Sequence, residues 1–395
     1  MRVLRSRVVW GFLIFNVLGG VLYVGGALLV AYMRSFGSTP EQVGWVLGAG
    51  WMASVLGAFS GGHLSDRLGA RRTVLLSVTL TTVGLLVQAL ACDWLSAGAG
   101  HVLVMGTWAM QWASGMALLN QEVGEATGSA LGLVNTAFNA AAIPGAALTG
   151  LVSTRWDWST LYLGKVATYL LALPVLFVLM PRGKAQSERV RSGLPWRHVL
   201  AQRALLWVCA GILLVTLLGY CYAFYPYYVQ ERFGADVKNL ALFEALYNAV
   251  WLLSNWPAGW LADRIGRGRV AMAGWMLMGV AWLLFPLSRW LSHAYVLYAL
   301  YCLGNSVGFY AAVFAQDVAD ERFKGRAAGL FQSSMHLGSA LGNAAGGMLW
   351  QRLGAEFSFL LSFVGHMLAS TLLLWAGRIR GSVHAQPAAT IPADD

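Results

Sequence analysis

The sequence predicts an all-α integral membrane protein with twelve transmembrane helices in two pseudo-symmetric six-helix bundles. Three observations carry that expectation. The first is composition: of 395 residues, 58% are hydrophobic and 11% charged, whereas a soluble globule carries about a quarter charged residues. The second is the number of apolar runs. A bilayer core takes roughly 20 apolar residues per helix, and twelve such runs occur, at about 8–33, 42–64, 73–92, 99–120, 130–154, 157–180, 204–229, 240–262, 268–288, 293–315, 327–350 and 356–377. The third is an internal repeat. Gly62-His63-Leu64-Ser65-Asp66-Arg67-Leu68-Gly69 returns as Gly259-Trp260-Leu261-Ala262-Asp263-Arg264-Ile265-Gly266, and 263 − 66 = 197. Gly128 to Leu133 answers to Gly325 to Leu330 at the same offset. One register at two distant places marks a duplicated half, and paired halves in a membrane chain point to a secondary transporter.

The net charge of +10 follows from sidedness and gives no nucleic-acid signal. With Met1 inside, the inner segments hold 20 of the 27 Lys and Arg residues, the outer ones 6, and Lys165 lies in a span. The positive-inside rule then places both termini in the cytoplasm; the plasma or inner membrane is the expected location. Cys92, Cys209, Cys221 and Cys302 lie in or at the ends of spans without metal-ligand spacing, so they read as packing residues. No metal or cofactor is expected. The first apolar run is too long for a cleavable signal.

In chain order, span 1 carries Asn16, Tyr23 and the pairs Gly19-Gly20 and Gly25-Gly26. Span 2 ends in the first repeated stretch. Span 3 carries Gln88 and span 4 Gln111; span 5 carries Asn135, Asn139 and Pro144, which should kink it. Span 6 carries Lys165. The basic stretch 181–203 reads as a linker between a bundle at 1–180 and a bundle at 204–380. Span 7 ends in Tyr220, Tyr222, Phe224, Tyr225, Tyr227 and Tyr228; Tyr220 stands 197 after Tyr23. Span 8 carries Glu244, Asn248, Asn255 and Pro257, span 10 Asn305, span 11 Gln332, His336 and Asn343, and span 12 His366. Residues 381–395 read as a disordered polar tail.

The repeated stretch resembles the signature loop of the major facilitator superfamily, Gly-x-Leu-x-Asp-Arg-x-Gly-Arg-Arg/Lys between helices 2 and 3. Gly62, Leu64, Asp66, Arg67, Gly69, Arg71 and Arg72 meet it, with Ala70 where Arg is common. Gly259, Leu261, Asp263, Arg264, Gly266, Arg267 and Arg269 meet it again, with Gly268 as the departure. The resemblance implies the fold of that superfamily, two bundles about a central cavity that opens to each side in turn. It makes Gly62, Asp66, Arg67, Gly69, Arg71, Arg72, Gly259, Asp263, Arg264 and Gly266 the gating set. Asp66 is expected to face the start of span 11 near Gly325, and Asp263 the start of span 5 near Gly128. A carboxylate at a helix amino end gains roughly 0.3–2 kcal/mol, so these contacts should hold the cytoplasmic side shut and break when it opens. Span 11, Gly338 to Gly347, resembles the small-residue stretch that family exporters carry on helix 5. Tight helix packing is the plainer reading of those residues.

The same resemblance puts helices 1, 4, 7 and 10 around the cavity, with 2, 5, 8 and 11 beside them. Mid-depth polar residues there are costly in lipid and should face protein or water: Asn16, Tyr23, Gln111, Asn135, Asn139, Tyr220, Asn248, Asn305, Gln332 and His336. With Trp51 and Trp251, the tyrosines suit a partly apolar or ring-bearing substrate. Tyr225, Tyr227 and Tyr228 are expected as anchors at the outer boundary, and Lys165 as a lysine reaching to the outer interface. Glu244 and His336 are the candidates for proton coupling. Glu244 precedes Asp263 by 19 residues, roughly 28 Å of helix, which sets it near the outer mouth. The sequence thus predicts a monomeric secondary transporter of a small organic solute, with proton-coupled efflux ahead of import or facilitated diffusion. A membrane-embedded enzyme or a non-transporting sensor is a remote alternative, since no HExxH or GxSxG stretch occurs.

Overall fold

The computed structural model describes residues 2–180, 197–320 and 323–385. Most of the expected linker, with Arg182, Lys184, Arg189 and Arg191, and the end of the expected tail lie outside the described residues. Among the described residues, nine helices are long and apolar enough to cross a bilayer. One of them passes through a non-helical Gly354 (φ +84°) and comprises spans 11 and 12. The two remaining spans depart from the simple pattern for physical reasons. Span 1 is broken into Arg7–Gly20 and Gly26–Ser35. Span 8, Val237–Ile265, is unbroken but carries Glu244, Asn248 and Asn255. The chain therefore has the all-α, twelve-span membrane fold that the sequence predicts.

The repeat holds in three dimensions. Span 2 is Pro40–Leu68 and span 8 is Val237–Ile265, each of 29 residues, with 237 − 40 = 265 − 68 = 197. Each ends at a glycine in the left-handed region, Gly69 (φ +88°) and Gly266 (φ +99°). Only glycine takes that conformation without strain, which is why the signature loop needs one there. Span 4 starts at Trp94, and span 10 at Leu291. Span 7 divides into Arg203–Leu218 and Cys221–Phe233, and span 10 into Leu291–Gly308 and Tyr310–Asp317. Span 5, Thr127–Val152, runs through Pro144 as one helix.

The end of the molecule opposite Gly69 and Gly266 is the far face, and its helix starts are firmly capped. Thr39, Asp93, Asp157 and Asp236 each accept from the backbone N–H three residues on. Hydrogen bonds from Ser96 and from Thr160 hold the Asp93 and Asp157 carboxyls below the usual carboxylate range. A lowered folded-state value means that these caps contribute at neutral pH and are lost as pH falls through it. Thr39→Ala is expected to destabilise the protein by about 1 kcal/mol, read as a lower Tm of the purified protein.

The halves meet closely at the far face. A Cβ on Gly44 of span 2 would stand 2.6 Å from the Asn343 carbonyl and 2.9 Å from Gly347 Cα of span 11. A Cβ on Gly48 would stand 2.7 Å from the Ala340 carbonyl, and one on Gly150 of span 5 would stand 2.6 Å from Ala241 of span 8. Arg34 adds a 2.9 Å hydrogen bond to Gln230 and lies over the Tyr227 ring. At the Gly69/Gly266 end the picture reverses. Gly128 and Gly132 of span 5, and Gly325 and Gly329 of span 11, have nothing within 4 Å of a built Cβ. The molecule is sealed at the far face and open at the signature-loop face.

Candidate functional site

The breaks in spans 1, 7 and 10 border a cavity of about 390 Å³ shared by both halves. Its wall is strongly aromatic: Tyr23 and Trp51 come from the first half, and Tyr222, Tyr225, Tyr247 and Trp251 are among those from the second. Glu244 also lines it, whereas no Lys or Arg does. Tyr222 joins the halves, because its hydroxyl accepts from Trp51 Nε1 (3.1 Å) and Asn343 Nδ2 (2.9 Å). Trp251 Nε1 and His366 Nε2 belong to residues of the cavity wall and are buried without a hydrogen-bond partner.

Glu244 is 4% exposed. One of its carboxylate oxygens, Oε1, accepts from the backbone N–H of Ala27, at the amino end of the second half of span 1. The unsatisfied N–H groups and positive dipole end of a helix favour an anion there. The sequence sets Glu244 near the outer mouth; here it is buried, with the Gly150–Ala241 contact of the far-face seal one turn closer to the start of span 8. Lys165 also departs from expectation. It is 7% exposed, and its ammonium donates to the Gly19 carbonyl at 2.8 Å, 5.4 Å from the centre of the Tyr23 ring. It satisfies the carbonyl end of the first half of span 1 and does not reach the interface.

The candidate residues read from the sequence divide into three groups. Tyr23, Glu244 and Asn305 line the cavity. Asn135, Asn139, Gln332 and His336 lie outside its lining, on spans 5 and 11. They continue at three- and four-residue spacing the faces of spans 5 and 11 that carry Gly128, Gly132, Gly325 and Gly329 into open space. His336 ends its row against Trp51, with ring centres 5.3 Å apart. The others serve packing or local hydrogen bonds. Asn16 donates to the Phe12 carbonyl, Asn248 to the Glu244 carbonyl, and Tyr220 is buried against Gly346. Gln111 is half-buried.

Tyr225, Tyr227 and Tyr228 correct the expectation of boundary anchors. They are 1%, 2% and 6% exposed, and Tyr225 stacks 4.5 Å from Tyr298 in the cavity wall. Tyr222, Tyr247, Tyr298 and Tyr301 also line the cavity, and the site reading missed them. For Tyr222 the aromatic cluster on span 7 was the sequence signal, and it reads equally well as an interface belt; Tyr247 on span 8 and Tyr298 and Tyr301 on span 10 lie outside that cluster. Gly338 and Gly342 on span 11 pack on span 7 at Thr216 and Leu217, in keeping with the packing reading.

Contacts made by the gating set stay within each half. Arg71 donates to the Phe177 carbonyl at 2.7 Å. Asp263 pairs with Arg267 at 3.6 Å, and Arg267 with Asp317 at 2.8 Å. Arg264 lies over Trp260, and Gly259 approaches the Tyr310 hydroxyl. Asp66 and Arg67 are exposed, as is Gly62; Arg72 is exposed and Gly69 half-exposed. Among the described residues, no group of three or more His, Cys, Asp and Glu side chains could hold a metal ion.

Known proteins place this architecture. An archaeal transporter from Methanocaldococcus jannaschii, itself uncharacterized, is 24% identical over 326 residues, 80% of each chain. The inner membrane transport protein YnfM of Escherichia coli is 25% identical over 386 residues, 92% of this chain and 88% of that one. A bacterial homolog of the human lysosomal transporter Spinster, solved inward-facing and unoccupied, superimposes with a TM-score of 0.78 at 14% identity, over 96% of this chain and 98% of that one. A model described as Major Facilitator Superfamily matches residues 9–342 and again 222–392, and on that match the chain belongs to the major facilitator superfamily of membrane transporters.

Proposed function

We propose that this transporter exports a ring-bearing organic solute in exchange for protons, with Glu244 as the proton-carrying group. The observation that carries the proposal is one of placement. Glu244 is the only buried carboxylate among the described residues, and it lines the aromatic cavity. A proton and a solute that meet at one carboxylate compete for it, and competition at a shared site yields exchange. Aromatic faces hold rings and cations. The wall offers no counter-charge for an anion, so the solute is neutral or cationic.

The cycle alternates between the present state, open at the signature-loop face, and one open at the far face. The excess of Lys and Arg on the termini side supports assigning that side to the cytoplasm; the proposal sets the molecule in the plasma or inner membrane as a monomer. Closure of the open face is assigned to Asp66 against the start of span 11 and Asp263 against the start of span 5, with Gly62, Gly69, Gly259 and Gly266 permitting the approach. Asn135, Asn139, Gln332 and His336 guide the solute to Tyr23, Asn305 and Glu244.

The test uses proteoliposomes with an imposed pH gradient, an internal pH dye and the aromatic cation 1-methyl-4-phenylpyridinium. Solute flux against proton flux is the expected result. Flux of both in the same direction would overturn exchange in favour of symport. Solute flux indifferent to the gradient would overturn proton coupling.

A further inference from the structure

We propose that span 1 is a two-state helix whose break is held open by charges from two other spans, and that Lys165 is the positioning residue for proton coupling at Glu244. The inference rests on the reading of Glu244 as the proton carrier and goes beyond it, by naming what the proton moves.

The break lies between Gly20 and Gly26. In an unbroken α-helix the Gly19 carbonyl would accept from the Tyr23 N–H, and the Ala27 N–H would donate to the Tyr23 carbonyl. Here both ends have other partners: Gly19 accepts from the Lys165 ammonium of span 6, and Ala27 donates to the Glu244 carboxylate of span 8. Each charge matches the dipole end it meets, cation at the carbonyl end and anion at the amino end. The broken form is strained. Leu22 (φ +50°) is the one non-glycine residue at positive φ among the described residues, and Gly26 (φ +41°) leaves the room that the carboxylate occupies. The open backbone therefore depends on the two charges.

The second half of the molecule supplies an internal comparison. Its equivalent break, at Gly219 and Tyr220, is uncharged. The position equivalent to Lys165 is Ser362 (165 + 197), whose hydroxyl donates to the Leu218 carbonyl at 2.6 Å. The position equivalent to Glu244 is Leu47 (244 − 197). The second break is also shorter, Gly219 and Tyr220 standing near helical φ/ψ (−81°, 17° and −61°, −11°), and of the two only the one in span 1 carries a group that can respond to a proton.

When Glu244 takes a proton it loses its charge, and with it the stronger, charge-assisted bond to Ala27. Residues 21–25 can then wind into helix, the Ala27 N–H passing to the Tyr23 carbonyl. Five residues that change from extended to helical rise shorten the span by at most about 9 Å. The shortening draws in the second half of span 1, which meets span 7 through Arg34 and Gln230 at the far face, and turns Tyr23 in the cavity wall. The other titratable groups about Glu244 are the Tyr23, Tyr225, Tyr247 and Tyr298 phenols and the Cys302 thiol. Lys165 stands against the Tyr23 ring.

Hydrogen exchange of the backbone amides of residues 21–27 tests this in the full-length protein in nanodiscs, at low and at high pH. The wild type is expected to exchange more slowly at low pH. Glu244→Gln should exchange slowly at both, and Lys165→Met about tenfold more slowly than the wild type at high pH, one unit of dipole-charge stabilisation having been removed. Lys165→Arg should restore the wild-type pattern and the pH profile of transport, both of which Lys165→Met flattens. Amides 21–27 that ignore pH and both substitutions, in a protein whose flux still loses proton dependence on Glu244→Gln, would overturn the two-state helix and leave the carrier role of Glu244 intact. Proton-coupled flux that survives Glu244→Gln would overturn the carrier role itself. If Lys165→Met fails to fold, the Glu244→Gln and Lys165→Arg measurements decide.

Discussion

Glu244→Gln is expected to lower pH-gradient-driven transport by about 100-fold, the upper range of ordinary coupling between two ligands, while solute exchange without a gradient persists. The substitution is close to isosteric and buries no new charge, so the fold survives. What is lost is the choice between a charged and an uncharged state. A group that cannot change charge binds alike in both conformations, and a ligand with no differential affinity shifts no equilibrium. Gradient-driven accumulation and counterflow, measured in the same vesicles, separate the two effects. Equal loss of both would mark Glu244 as a structural residue and refute proton carriage.

Gly44→Leu is expected to stop transport by a different route. In the state described here, Gly44 lies against Gly347 Cα and the Asn343 carbonyl, which leaves no room for a side chain. Overpacking of that kind costs roughly 1–3 kcal/mol, and each 1.4 kcal/mol is about tenfold in population. The cost falls on the far-face-closed state alone, because the seal parts when the far face opens. Populations should shift toward far-face-open molecules by about ten- to a hundredfold. Single cysteines near Trp51 and Trp251 should then label from the far side. Unchanged labelling with normal flux would show that the glycine contact is not the seal.

The halves, the spans and the signature loops were legible because they depend on properties a sequence displays: apolar length, a 197-residue register, and glycines where the chain turns. The breaks were not. Span 1 reads as one apolar run from 8 to 33, and its glycines also suit close helix contact, so nothing local marks residues 21–25 as open. Lys165 and Glu244 were misjudged for that reason. Helix-depth arithmetic assumes straight helices with side chains pointing to water or lipid, whereas both residues serve backbone groups that only a break exposes. Tyr225 was misread because a tyrosine at a span end looks the same whether it meets headgroups or a cavity. Asn135, Asn139, Gln332 and His336 were legible as polar residues on a common face, since the repeat pairs them; the open space they face belongs to one state of a moving molecule, and no residue pattern records it.

The far-face closure has a further consequence for energy conservation. At Gly44 and Gly48 it is built of backbone and small apolar groups, with neither a titratable side chain nor room for water beneath the missing Cβ atoms. Proton hopping needs an unbroken file of hydrogen-bonded donors and acceptors, and here that file is interrupted. A cell carrying many copies of this protein at rest should therefore hold its membrane potential without a standing leak.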